Sequence, residues 1–183
     1  MRYAYRAMKT TFLLRPVRSR RSALVAAVAA SLLLLSCDGS SAGKTAASDP
    51  KVDFRLPSVD GRTLGPKDFG GQVVVVDFWA TWCGPCRLQA QILEPVYQDY
   101  KGRGVQFLAA NVGEEAEIVK KFLKDKPFPY PVLLDPKESV SGDLGVLALP
   151  TLLVIDKKGK ISYFQSGIAD GDTLRQLIKQ AGA

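Results

Sequence analysis

The 183-residue sequence predicts an α/β sandwich: a mixed central sheet with helices on both faces. Three observations carry this. Strand-like runs alternate with segments of helical spacing, the pattern of parallel strands joined by crossover helices. One run, Val73-Val74-Val75-Val76-Asp77-Phe78-Trp79, is apolar without the usual alternation, which suits a strand covered on both faces. Near the end, Leu152–Ile155 and Ile161–Phe164 flank the turn-rich Asp156-Lys157-Lys158-Gly159-Lys160, so an antiparallel hairpin closes the sheet.

The elements follow in order. Phe54, Leu56 and Val59, the turn at Asp60-Gly61, then Leu64 and Phe69 predict a short N-terminal hairpin. After the Val73 strand, apolar residues at Leu88, Ile92, Leu93, Val96, Tyr97 and Tyr100 give a helix over 86–101, ended by Gly102. Val105–Val112 is a second strand. Glu114–Lys126 is a helix with Ile118, Val119, Phe122 and Leu123 on one face. Val132–Leu134 is a short strand, and Ser141–Leu144 one helical turn. Asp172 is expected to cap a last helix through Leu174, Leu177 and Ile178. No internal repeat divides residues 51–183, which read as one domain.

Residues 1–36 read as an address. Seven basic residues and no acidic one fall there, leaving 18 basic and 18 acidic residues over 37–183. The net charge of +7 therefore belongs to the leader, and the body gives no electrostatic case for nucleic acid. Ala23–Leu35 has the length of a signal-peptide apolar core and is short for a transmembrane helix of ~20 residues. Met8 is an alternative start. Leu34-Leu35-Ser36-Cys37 resembles the lipobox of bacterial lipoproteins, in which the Cys carries lipid. Ser19-Arg20-Arg21 resembles the start of a twin-arginine signal, but the residues expected after it are missing. An uncleaved anchor, or a signal with an incidental Cys, is the other reading. Residues 37–50 are small and polar, a flexible tether with an r.m.s. span of roughly 20 Å and a stretched reach of about 45 Å. The expectation is a domain outside the cytoplasm, lipid-anchored at Cys37. Asp38 resembles the residue that favours retention in the inner membrane of Gram-negative cells.

The chain has no histidine, which excludes Ser-His-Asp and Cys-His catalysis, His-ligated metals and an imidazole pH switch. It has three cysteines. If Cys37 is acylated, Cys83 and Cys86 remain as a pair. Trp82-Cys83-Gly84-Pro85-Cys86 lies between the Val73 strand and the helix after it. Residues three apart on a first helical turn share a face, within disulfide reach. Cys83 then meets unpaired backbone N–H groups and the positive end of the helix dipole, both favouring thiolate. Pro85 costs little where an N–H has no helical partner. Cys86 is expected to sit deeper and stay protonated until needed. Cys83 would attack a substrate disulfide and Cys86 resolve the mixed disulfide, leaving a Cys83–Cys86 bridge and requiring no cofactor. An Asp inside a run of Val and Phe is expected to be desolvated with a raised pKa, able to accept the proton of Cys86; an exposed Asp77 at the strand end is the alternative.

Phe78-Trp79-Ala80-Thr81-Trp82-Cys83-Gly84-Pro85-Cys86 closely resembles the active-site signature of the thioredoxin superfamily. The N-terminal hairpin, the extra α-β unit from Glu114 to Leu134 and the closing Leu149–Ile161 stretch resemble its membrane-tethered TlpA-like disulfide reductases, over about residues 52–180. The resemblance implies a thioredoxin-like fold and a buried acid at Asp77. It also implies a cis-proline at Pro150 facing the dithiol, in Leu149-Pro150-Thr151, which turns the Leu149 backbone toward the substrate. Trp82 is expected to be an apolar contact surface, with a plain core Trp as the alternative. It implies reduction of disulfides in exported proteins such as apocytochrome c, electrons from a membrane thiol reductase, and a monomer.

Departures are Gln89, where many such reductases have Glu, Gln91 in place of a kinking Pro, and Ala109 and Ala110, where thioredoxin keeps a Lys. Rival readings are a dithiol oxidant or isomerase, a thiol peroxidase and a module with a structural bridge. The peroxidase pattern wants Thr three residues before the reactive Cys, and Thr81 is two before Cys83. A metal centre lacks ligands, since two cysteines supply half of a usual set.

Overall fold

The computed structural model describes residues 52–183. The expected signal segment, Cys37 and the tether lie outside the described residues. Seven strands and four helices run in the order β1 (Leu56–Pro57), β2 (Thr63–Leu64), β3 (Val73–Trp79), α1 (Gly84–Tyr100), β4 (Val105–Val112), α2 (Ala116–Asp125), β5 (Val132–Asp135), α3 (Ser139–Asp143), β6 (Thr151–Ile155), β7 (Ile161–Ser166) and α4 (Gly171–Gln180).

β3 is buried along its whole length and lies at the centre of a five-stranded sheet ordered β5-β4-β3-β6-β7. β3, β4 and β5 are parallel, while β6 and β7 are antiparallel to their neighbours. The steps from β3 to β4 and from β4 to β5 travel the same way across the sheet, so crossovers of one hand bring α1 and α2 to one face. Val73, Val75 and Trp79 pack on that face with Leu93 and Val96 of α1, Val119 of α2, and Leu174 and Ile178 of α4. Val74, Val76 and Phe78 point the other way, against Phe54 and Leu56 of the N-terminal segment and Val140 and Leu144 around α3. Each fully buried Val or Leu in these layers contributes ~1.5–3 kcal/mol. The sheet is thus mixed, with helices on both faces, as its composition requires.

The N-terminal hairpin shrinks to two paired positions, Leu56 with Leu64 and Pro57 with Thr63. The chain between its two strands covers the outer edge of β5 through a Ser58–Leu133 bridge and a Val59 N–H to Val132 carbonyl bond. Two helix starts and one buried face differ most from expectation. α1 starts two residues early, because Cys83 itself is the N-cap. α4 is capped by Asp170, whose carboxylate accepts from the Asp172 and Thr173 amides, so Asp172 lies in the first turn. On α2 only Val119 is fully buried, and Ile118 is 52 % exposed, turned away from the face it was expected to share.

Candidate active site

Cys83 and Cys86 form a disulfide across the first turn of α1, with Cα atoms 5.3 Å apart. The Cys86 backbone N–H donates to Cys83 Sγ at 3.1 Å, so the sulfur occupies the place of an N-cap oxygen. The same N–H would stabilise a thiolate there, as would the helix dipole. Gly84 and Pro85 are exposed at the first helical positions, where Pro85 displaces no hydrogen bond. Both cysteines are buried in this oxidised form, so the expected difference in depth between them is small. Trp82, just before them, is 71 % exposed and is no part of the core.

Asp77 is 1 % exposed, and neither carboxylate oxygen has a hydrogen-bond partner. It pairs with Ala109 on one side and Leu152 on the other, so the neighbouring strands offer it no polar group. Alternation along β3 gives it the parity of Val75 and Trp79, whose layer contains Cys83 and Cys86. Burial pushes its carboxyl well above the usual carboxylate range. Tyr130, also buried, feels the charges of Asp77 and Glu94, and its phenol is pushed up chiefly by burial. An exposed Asp77 is therefore excluded. Beside the dithiol, a cleft of about 250 Å³ is lined by Trp79, Phe122 and Phe128 together with Cys86, Arg87 and Glu94.

The Leu149–Pro150 peptide is cis. Leu149 packs against both core layers, and Pro150 accepts a bond from the Gly167 amide at 2.8 Å. Thr151, fully buried, donates to the Ala148 carbonyl and pairs with the Ser166 hydroxyl, both at 2.6 Å.

Two groups at the site are not apparent from the sequence motif. Glu114, at the carboxyl end of β4, accepts from the Thr81 amide at 2.7 Å, from the Thr81 hydroxyl, and from Asn111 Nδ2 at 2.7 Å. Arg87 donates to the Thr81 carbonyl at 3.3 Å. The loop that delivers Trp82 and Cys83 is thus held at three of its polar atoms. The available signal was position: in open α/β sheets, functional groups gather beyond the carboxyl ends of the strands. The second is Gln89, one turn below Cys86 and fully buried. Its Oε1 accepts from the Ala169 amide at 2.7 Å and its Nε2 donates to the Ala169 carbonyl at 3.3 Å. A carboxylate here would face that carbonyl without a donor, so the amide suits the site.

Among the described residues no three His, Cys, Asp or Glu side chains converge as metal ligands. What the arrangement can do is thiol–disulfide exchange: one sulfur at a helix N-terminus, a second beside it, and a desolvated carboxyl behind. The class is a thioredoxin-fold thiol-disulfide oxidoreductase.

Comparison with known proteins agrees. A family model described as Redoxin matches residues 44–178, and the chain belongs to the redoxin family. It is 34 % identical over 127 residues to the thiol-disulfide oxidoreductase ResA of Geobacillus thermodenitrificans, covering 69 % of this chain and 73 % of that protein. To ResA of Bacillus subtilis it is 34 % identical over 128 residues, covering 69 % and 72 %. A thiol:disulfide interchange protein of the thioredoxin family from Chlorobium tepidum superposes with a TM-score of 0.62 at 28 % identity, over 73 % of this chain and 95 % of that one.

Proposed function

We propose that the chain reduces disulfides in exported proteins on the outer side of the membrane, tethered there through Cys37. The observation that carries the chemistry is the Cys83–Cys86 pair at the start of α1, with the unpartnered Asp77 carboxyl in the layer behind it. The Cys83 thiolate attacks one sulfur of a substrate disulfide; that bond breaks, a mixed disulfide forms, and one substrate thiolate leaves. Cys86 passes its proton toward Asp77 and attacks Cys83 Sγ, releasing the second substrate thiolate. Two electrons have then moved to the substrate, and the protein holds the disulfide. The Leu149 backbone offers the substrate chain an extended edge to lie along, beside the apolar surface of Trp82.

Gly84-Pro85, the dipeptide of reducing thioredoxins, supports reduction as the direction. Cysteines of apocytochrome c are the substrate class carried by the family resemblance, with a membrane thiol reductase restoring the dithiol. The direction is tested by the reduction potential of the Cys83/Cys86 pair in the full-length protein, equilibrated in defined thiol buffers. A value near the ~−270 mV of thioredoxin is expected, and a value near the ~−120 mV of a strong oxidant would reverse the assignment.

A further inference from the structure

A net charge of zero over residues 37–183 conceals a separation of charge along the sheet. The chain segments at the end where β3 begins are 70–72, 101–104 and 156–160. They are brought together by the Val73 N–H to Gly104 carbonyl bond and by the pairing of Val74 with Ile155. They carry Lys101, Arg103, Lys157 and Lys158, with Lys160 engaged in a contact of its own, against one acid, Asp156. Asp156 turns its carboxylate onto the backbone amides of Lys158 and Lys160. Lys67, at the same end, is paired with Asp53. At the opposite end, where the dithiol sits, segments 80–83, 113–115, 136–150 and 167–170 carry Glu114, Glu115, Glu138, Asp143 and Asp170 against Lys137, with Arg87 of the first turn of α1 the other cation beside them. The seven residues of β3, at ~3.3 Å each, put roughly 20 Å between the two ends.

The described chain begins at the basic end. Val52 donates its amide to the Gly159 carbonyl at 3.0 Å, inside the lysine-bearing turn, so residues 1–51 join the domain beside Lys157, Lys158 and Lys160. We propose that this end is a docking surface for an anionic phospholipid bilayer, on which the domain rests with its dithiol facing away. The inference relies on the reading of residues 1–50 as leader, anchor and tether. Two features on one surface favour a membrane over other anions. The connection to the anchor leaves from this surface, and its cations are spread over two separate turns, as a planar charged surface requires. A basic side chain near an anionic bilayer strengthens association about fivefold, and the attraction fades beyond a Debye length of ~8 Å at physiological salt.

The test uses the full chain purified from membranes and reconstituted on vesicles of phosphatidylcholine alone or with one quarter phosphatidylglycerol. Flotation and amide hydrogen exchange are read on each. The expected result is flotation with both vesicles and slowed exchange over 101–104 and 156–160 only where phosphatidylglycerol is present. That protection should vanish in 1 M salt. Lys157→Gln with Lys158→Gln should weaken the resting equilibrium about 25-fold while leaving flotation and dithiol turnover on a soluble disulfide unchanged. Flotation with both vesicles but identical exchange would overturn the docking surface and leave the anchor standing. Flotation with phosphatidylglycerol alone, lost in the double variant, would uphold the surface and overturn the anchor. Flotation with neither would overturn both.

Discussion

Replacing Asp77 by Asn separates a buried charge from its shape. The carboxyl has no hydrogen-bond partner and is packed between Ala109 and Leu152 on the neighbouring strands, so ionising it in the folded protein is resisted. The sign follows from linkage. The folded state holds this proton more tightly than the unfolded chain, in which an Asp titrates near ~3.9, so stability falls as pH rises. The loss begins near the unfolded value and proceeds at about 1.4 kcal/mol per pH unit until the folded value is passed. The protein has no histidine, so between pH 5 and 8 no other side chain of ordinary pKa changes its charge. The assay is urea unfolding of the oxidised protein at intervals from pH 4 to pH 9, wild type beside Asp77→Asn. The variant is expected to match the wild type to within ~0.5 kcal/mol at the acid end and to become progressively more stable above it. The pH at which the difference levels off marks the folded titration. A difference that stays constant with pH would refute the claim that this carboxyl is desolvated. The same variant should slow disulfide reduction near neutral pH by tenfold or more, within the ~10²–10⁴ range of positioned acid–base groups.

Other consequences are simpler to read. Cys86→Ser should abolish turnover and accumulate a mixed disulfide between Cys83 and a disulfide substrate, seen as a covalent adduct by mass spectrometry; release of substrate at the wild-type rate would remove Cys86 from the resolving step. Glu114→Ala leaves the Thr81 amide and Asn111 Nδ2 without their acceptor and should cost ~1–3 kcal/mol in urea unfolding. It should also shift the pH dependence of Cys83 alkylation in the reduced protein, which loss of stability alone would not do. Trp82→Ala should change stability by less than ~0.5 kcal/mol, since the side chain is exposed. It should raise KM for a protein disulfide more than for a small one, measured by steady-state kinetics.

What the sequence reveals and what it conceals divide along the range of the interactions. β3 and β4 are legible because long, mostly apolar runs report their own burial, and the dithiol because Cys83, Pro85 and Cys86 need only one helical turn. Asp170 and Asp172 are equivalent as local cap signals. Which one caps α4 depends on how the chain leaves β7, and the nearer choice is the wrong one. Ile118 has the spacing of a core residue, yet α2 buries only a narrow stripe, so periodicity overstates its apolar face. The grip of Glu114 on Thr81 spans 33 residues and that of Gln89 on Ala169 spans 80. Neither leaves a trace in local spacing. Asp77 lies between these cases: its burial follows from its neighbours, but its lack of any partner is visible only in three dimensions.

The Gln89 tie reaches further than its two hydrogen bonds. It fixes Ala169 to the helix that carries Cys86, and two residues before Ala169 the Gly167 amide is bonded to Pro150. The sulfur that changes oxidation state and the peptide at which we propose a substrate docks are therefore joined through one short run of hydrogen-bonded residues. Equilibrium makes such a linkage reciprocal. If oxidation loosens the hold on substrate tenfold, bound substrate displaces the potential of the pair by about 30 mV in the opposite sense. The protein's grip and its voltage would then be two readings of one free energy, and a substrate docked at Pro150 as proposed would retune the dithiol before any sulfur had moved.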